Sequence, residues 1–252
     1  MNAELRRSAV EFLIVSSLQL GVTPVVKYTA LSIFVERFLP SIKNNNRSLR
    51  KKHGDNWLLQ PLRQCNLQLF ALVSVWVSSK IHDTRPLSVQ SLKSLGDVAI
   101  KEQHYTTRDF LEAEVVLLQV LDFEIGASNV AYVFLEDFLI RLRKLARVGD
   151  LVKLKACMDI MDVLYETEET SVLYNSPDFL AAAILACFFL MLSVASYVIS
   201  VPKQEHEFPL LSWVKFVSSF KEEDTLELAR TILQHVLKQT TQETCQLWEG
   251  KG

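Results

Sequence analysis

Glycine and proline are scarce in this chain, seven of each in 252 residues, which excludes a collagen-like, linker-rich or low-complexity protein. Cysteine is sparse too. Cys65, Cys157, Cys187 and Cys245 lie far apart with no CxxC spacing, so neither a disulfide framework nor a zinc site is expected. Reduced, buried thiols of an intracellular protein fit them better. No sign of charge dominates: 27 basic against 29 acidic residues leave a net charge of -2 and no global pull toward nucleic acid or acidic membranes. Val and Ile nowhere alternate usefully with polar residues, which removes the signal for strands. The five histidines are scattered, and no GxGxxG, P-loop, HExxH or Ser/His/Asp pattern can be assembled, so an enzyme is the weakest reading and no cofactor is expected.

What is present is helical spacing. A first helix is expected from about Ala3 to Leu18, with Leu5, Ala9, Phe12 and Leu13 on one side; Glu11 interrupts the run and no small-residue cleavage site follows, against a signal peptide. Thr23-Pro24 opens a second helix that ends before Pro40. From Ser41 to Gln60 a basic loop carries Lys43, Arg47, Arg50, Lys51, Lys52 and His53, read as a solvated surface loop ahead of a phosphate contact or an import tag. Then comes the stretch that organises the first half, Leu67 to Asp83. Its thirteen residues Leu67 to Ser79 carry no charge, so neighbours must surround it, and Lys80 arrives at its last turn, at the negative end of the helix dipole. A fourth helix begins near Ser88. A fifth follows Tyr105, with Thr106 and Asp109 spaced as a capping box and Leu111, Val115 and Leu118, with Phe110 and Leu121, turned inward.

The second half repeats the layout: helices Ser128 to Leu145 and Asp150 to Glu166, an apolar third from Pro177, a short fourth around Leu210 to Val217, and a last from Glu223 to Gln239 with Leu226, Ala229, Leu233 and Val236 inward. Phe179 to Pro202 has no charge and is long enough to span a membrane. The Asn175-Ser176-Pro177 start is instead that of a soluble helix, and no Lys/Arg cluster flanks either end. A buried core helix, the counterpart of the one in the first half, is favoured, though hydropathy alone leaves a membrane anchor open. The expected architecture is all-α: two tandem five-helix bundles, 1-126 and 127-240, each wrapped around its apolar third helix, then a polar tail, 241-252.

These residues resemble the cyclin family. Phe34-Val35-Glu36-Arg37-Phe38-Leu39 is similar to its YIDRFL; Leu67-Gln68-Leu69 with Ala71 and Ser78-Ser79-Lys80 is similar to its LQL…ASK third helix. Tyr105-Thr106, Leu111-Glu112-Ala113-Glu114, Leu118 and Leu121-Asp122-Phe123-Glu124-Ile125 resemble its fifth helix. Ser176-Pro177 and Ala181-Ala182-Ala183 resemble the start of the third helix of its second repeat, so the resemblance covers roughly residues 3 to 240. The chain length is most similar to small plant J-type cyclins. The resemblance implies two cyclin boxes and a non-catalytic regulatory subunit, in nucleus and cytoplasm, that binds and activates a cyclin-dependent protein kinase. Kinases need a mobile helix to bring its Glu to the ATP-orienting Lys, and contacts made only to that arrangement shift the population toward it. By resemblance Lys80 and Glu114 are the polar pair that hydrogen-bonds kinase backbone, and Val77, Ile81, Leu118, Phe123 and Ile125 are the apolar contacts; core packing is the competing reading for Leu118 and Phe123.

Two departures matter. Ile81-His82-Asp83 stands where the family commonly has an aromatic and two acids, which leaves the choice of kinase open. The substrate-docking groove, often MRAIL followed by Trp, aligns with Leu5-Arg6-Arg7-Ser8-Ala9 and Phe12, and Arg6 and Gln68 match the family there. Ser8 and Ala9 remove apolar area worth ~1 to 3 kcal/mol at ~25 cal/mol per Å2, so docking there is expected to be weak or absent. Of the rival readings, a cyclin-fold DNA-binding factor wants a basic face and usually a zinc ribbon, and neither is visible. No nucleic acid, small molecule or membrane is expected as a partner.

Overall fold

The computed structural model describes residues 2–44, 56–59, 61–125, 130–167, 176–199, 208–218 and 220–249, and every regular element among them is helical. The basic segment from Arg47 to His53, the Gly126-Ala127-Ser128 junction and Asn175 lie outside the described residues. The chain divides into two compact units, Met1–Ser128 and Asn129–Gly252.

In the first unit α1 spans Ala3–Gln19. Asn2 caps it, its side-chain oxygen accepting from the Glu4 N–H, one of the donors a helix start leaves orphaned. It stops at Gly21, whose φ of 63° lets Val22 and Gly21 turn their N–H groups back onto the carbonyls of Ser17 and Leu18. The second rod is one helical run in three parts: α2 (Pro24–Leu31), a π-helical stretch (Ser32–Phe38) and α3 (Leu39–Asn44). The sequence reading ends this helix before Pro40 and starts a loop at Ser41; both expectations are corrected. The π turn closes on the bond from the Leu39 N–H to the Phe34 carbonyl, so Pro40 falls in the first turn of α3, where a missing N–H and a fixed φ are tolerated.

The central helix α4 (Gln64–His82) packs against α1, α2, the π stretch, α5 (Val89–Ala99) and α6 (Thr107–Val120). Every residue from Cys65 to Ser79 except Gln68 is buried. Its serine hydroxyls find acceptors inside: Ser74 donates to the Phe70 carbonyl at 2.8 Å and Ser78 to that of Val26 at 2.7 Å. Phe70 tilts against Phe38 with ring centroids 4.6 Å apart, and Phe38 stacks on Phe34 at 6.0 Å. The capping box at α6 is present: the Asp109 N–H donates to Thr106 Oγ1, and the Thr106 N–H donates to the Asp109 carboxylate at 2.7 Å.

α6 turns a different face inward from the one expected. Phe110, Ala113, Val116, Leu117, Val120 and Leu121 are buried, whereas Leu111 and Val115 are exposed and Leu118 is half-buried. Both stripes of this helix are apolar, so i, i+4 spacing alone fits either.

The second unit comprises α7 (Ala131–Leu145), the single turn α8 (Val148–Leu151), α9 (Leu154–Glu166), α10 (Pro177–Ile199), α11 (Leu210–Ser218) and α12 (Glu222–Glu249). α10 takes the central role, packed by α7, α9, α11 and α12, and Leu180 through Cys187 are all buried in protein. Among the described residues no helix is long and apolar enough to cross a membrane. α12 is longer than the sequence reading has it. It runs on to Glu249 through most of the segment read as a polar tail, where no glycine or proline intervenes to stop it. Its buried face holds Thr225, Ala229 and Ile232, with Leu226, Leu233 and Val236 half-buried beside it. Cys65, Cys157 and Cys187 are free thiols and buried.

Candidate functional site

Lys80 leaves the last turn of α4 and Glu114 the middle of α6, and the packing of these two helices brings their side chains together. Lys80 Nζ lies 2.5 Å from Glu114 Oε1, with the lysine side chain 38% exposed and the glutamate 16%. The same ammonium sits over the face of Trp76, 3.5 Å from the ring centroid. Trp76 is one turn back along α4 and is nearly buried. An ion pair at such a boundary contributes at most about 1 kcal/mol to folding, too little to account for holding two long side chains in one geometry. The pair is better understood by what it offers outward: a cation with three donors beside a carboxylate, already oriented.

Apolar side chains surround the pair. Ile81 is exposed next to Lys80, Leu118 is half-buried one turn beyond Glu114, and Ile125 is half-buried at the end of the following turn. Phe123 is 64% exposed, so it is not core; of the two readings open from sequence, packing inside the bundle is removed for this residue. Val77 lies differently. At 2% exposure it belongs to the interior and can support this surface only from beneath. Leu111 and Val115, read from sequence as inward-facing, extend the exposed apolar strip along α6 in the other direction.

The turn that presents Phe123 is unusual in its backbone. The Phe123 N–H bonds the Leu118 carbonyl at 2.8 Å and the Asp122 N–H that of Gln119 at 3.1 Å, the same exit that α1 makes at Gly21. Here the left-handed position is held by Asp122, with φ 50°, and Phe123 follows at φ 60°. A bulky residue at positive φ is an outlier that surrounding contacts must hold. One such contact is Arg37 of the π stretch, whose guanidinium donates to the Glu124 carbonyl. At the other side of Lys80, His82 Nε2 and Thr29 Oγ1 are 2.9 Å apart, tying the end of α4 to α2.

The residues aligned with a docking groove are less open. Leu5, Phe12 and Gln68 are half-buried, Arg6 is buried, and Ala9 has no exposed surface, so Ala9 cannot line a groove. Ser8 accepts a hydrogen bond from Gln64 Nε2 at 3.0 Å, which further closes the α1–α4 seam. Among the described residues no group of three or more His, Cys, Asp or Glu side chains could hold a metal ion.

Trp76 and Arg37 also support this surface, and the sequence reading assigned neither of them to it. An indole four residues before a lysine on a helix is a signal that could have found Trp76, because i and i+4 share a face. Nothing in the sequence joins Arg37 to a carbonyl 87 residues away.

Comparison with known proteins bears on the family and the fold. The family described as the cyclin N-terminal domain matches residues 1–126. Cyclin-J18 of Arabidopsis thaliana is 54% identical over 233 residues, 92% of this chain and 95% of that protein. A Cyclin-J18-like protein of Oryza sativa subsp. japonica is 49% identical over 236 residues, 92% of this chain and 87% of its own length. Among solved structures, a viral cyclin from Herpesvirus saimiri superposes with a TM-score of 0.64 at 15% identity, over 94% of this chain and 86% of that one, a likeness of fold. With an all-helical pair of bundles, a family match over the first of them and plant relatives sharing half their residues along nearly the whole length, the chain belongs to the cyclin family, whose members are regulatory rather than catalytic proteins.

Proposed function

We propose that this protein is the regulatory subunit of a cyclin-dependent protein kinase, binding it through the α4–α6 surface and driving its mobile helix and activation segment into the active arrangement. The observation that carries this reading is the Lys80–Glu114 pair, joined at 2.5 Å at the edge of an apolar strip. A kinase helix end or loop laid on this strip would bury its apolar side chains on Ile81, Leu118, Phe123 and Ile125. Its exposed backbone groups would meet a donor and an acceptor. Binding of this kind favours whichever kinase conformation fits, by the differential affinity for that conformation. The protein carries no catalytic role in this scheme; it acts in cell-cycle or developmental control, in the nucleus and the cytoplasm. Substrate choice through the α1 seam is weak, since Ala9 and Ser8 offer little apolar area there.

The test is a pull-down of the full chain against a panel of cyclin-dependent kinases, followed by an activity assay of each captured kinase. Lys80→Ala and Glu114→Ala are each expected to weaken capture about tenfold or more while the helical circular-dichroism signal stays unchanged, because each leaves a partner charge or backbone group unpaired at a partly desolvated contact. Full activation of a kinase by both variants sinks the assignment of this pair.

A further inference from the structure

The geometry points to Trp76 as a positioning residue for Lys80, its indole face holding the ammonium at the one spot from which it meets the kinase. This inference rests on the kinase-binding reading above. A lysine on a four-carbon stem has many rotamers, and a single ion pair to Glu114 still lets the stem swing. A second contact fixes it, and the ring 3.5 Å beneath Nζ supplies that contact. Tryptophan has the aromatic face that attracts a cation most strongly.

The ring is itself pinned. Its Nε1–H donates to the Leu87 carbonyl at 2.9 Å, the Leu87 N–H donates to Ser79 Oγ at 3.1 Å, and the Ser79 hydroxyl donates to the Trp76 carbonyl at 2.8 Å. These three bonds close a circuit between the end of α4 and the chain leading to α5, so the indole cannot rotate without breaking its partly buried hydrogen bond to Leu87. At 6% exposure Trp76 has almost no surface for a partner and acts through the lysine above it. Glu114 accepts a hydrogen bond from one N–H of the ammonium, the ring covers one side, and the remaining N–H groups are left for a kinase carbonyl.

A double-mutant cycle tests this, with the affinity of the full chain for a kinase it captures and activates as the readout. Trp76→Leu is expected to weaken binding about three- to tenfold, and to add almost nothing in a Lys80→Met background. Losses that simply add would make Trp76 a packing residue and overturn the proposal. Should Trp76→Leu lose its cooperative melt, fluorinated tryptophan takes its place in the same cycle, keeping the shape while draining the π face. In the free chain, labelled lysine should show the Lys80 ε-methylene protons moved upfield by the ring, and that shift should vanish in Trp76→Leu. Absence of the shift in the wild-type chain overturns the contact itself. A normal shift with no effect of Lys80→Met on kinase binding instead defeats the kinase reading, and the positioning role with it.

Discussion

At the scale of single residues, exposure separates what packs in the core from what is open to a partner. Phe123 and Phe110 lie thirteen residues apart at the two ends of α6, yet one is 64% exposed and the other fully buried. Phe123→Ala should therefore change unfolding free energy by less than about 0.5 kcal/mol while costing about 1 to 2 kcal/mol of kinase affinity, as truncating an aromatic anchor does. Denaturant unfolding beside a binding titration reads both numbers, and a large stability loss with intact binding would return Phe123 to the core. Lys80 and Glu114 were legible in the sequence only as members of motifs, because no spacing rule links positions 34 apart. The capping pair Thr106 and Asp109 needed no motif, since its chemistry is local. The left-handed turn at Asp122 was not legible, because its φ normally calls for glycine or asparagine and neither is there.

At the scale of elements, the absence of charge from Leu67 to Ser79 was enough to mark α4 as the rod that others surround. Which stripe of a neighbour faces it was harder. α6 is apolar on two sides, one buried and one exposed as the strip proposed for binding, so a periodicity count sees two equal answers where the fold has one. The second rod shows another limit. Proline usually ends a helix, and only the π turn before Pro40 reveals why this one continues. The weight on α4 gives a prediction: Phe70, buried against Phe38 at 4.6 Å, should cost about 3 to 5 kcal/mol on replacement by Ala, measured by denaturant unfolding. A loss below about 1 kcal/mol would mean that the centre of the first unit lies elsewhere.

At the scale of the whole molecule, both units bury thiols, Cys65 in the first and Cys157 and Cys187 in the second. Burial pushes the Cys157 thiol up to about 12 and that of Cys187 up to about 11, from an ordinary value of 9.0. A raised thiol pKa in the folded state means that the unfolded chain releases its protons first as pH rises. Stability from these two sites is thus intact below pH 9.0 and falls between there and about 11 to 12. Mass spectrometry should find both cysteines unalkylated by iodoacetamide at neutral pH in the native chain and modified once it is unfolded. Native labelling at neutral pH would show that the second unit opens readily. The twofold layout itself was legible, since the third helix of each half carries one long uncharged run; the reach of α12 to Glu249 was not, because a polar sequence without a stop signal reads equally as coil.

The π stretch has a consequence for how this chain tolerates insertion and deletion. An α-helix advances about 100° per residue, and a wide turn is what a surplus residue looks like once it has been absorbed. Phe34 and Phe38 within it, and Leu39 and Ile42 after it, are all turned to the interior. Excising one amino acid there would restore an even pitch, and would swing Leu39 and Ile42 of α3 roughly a quarter of the way around the axis, out of the oil and into water.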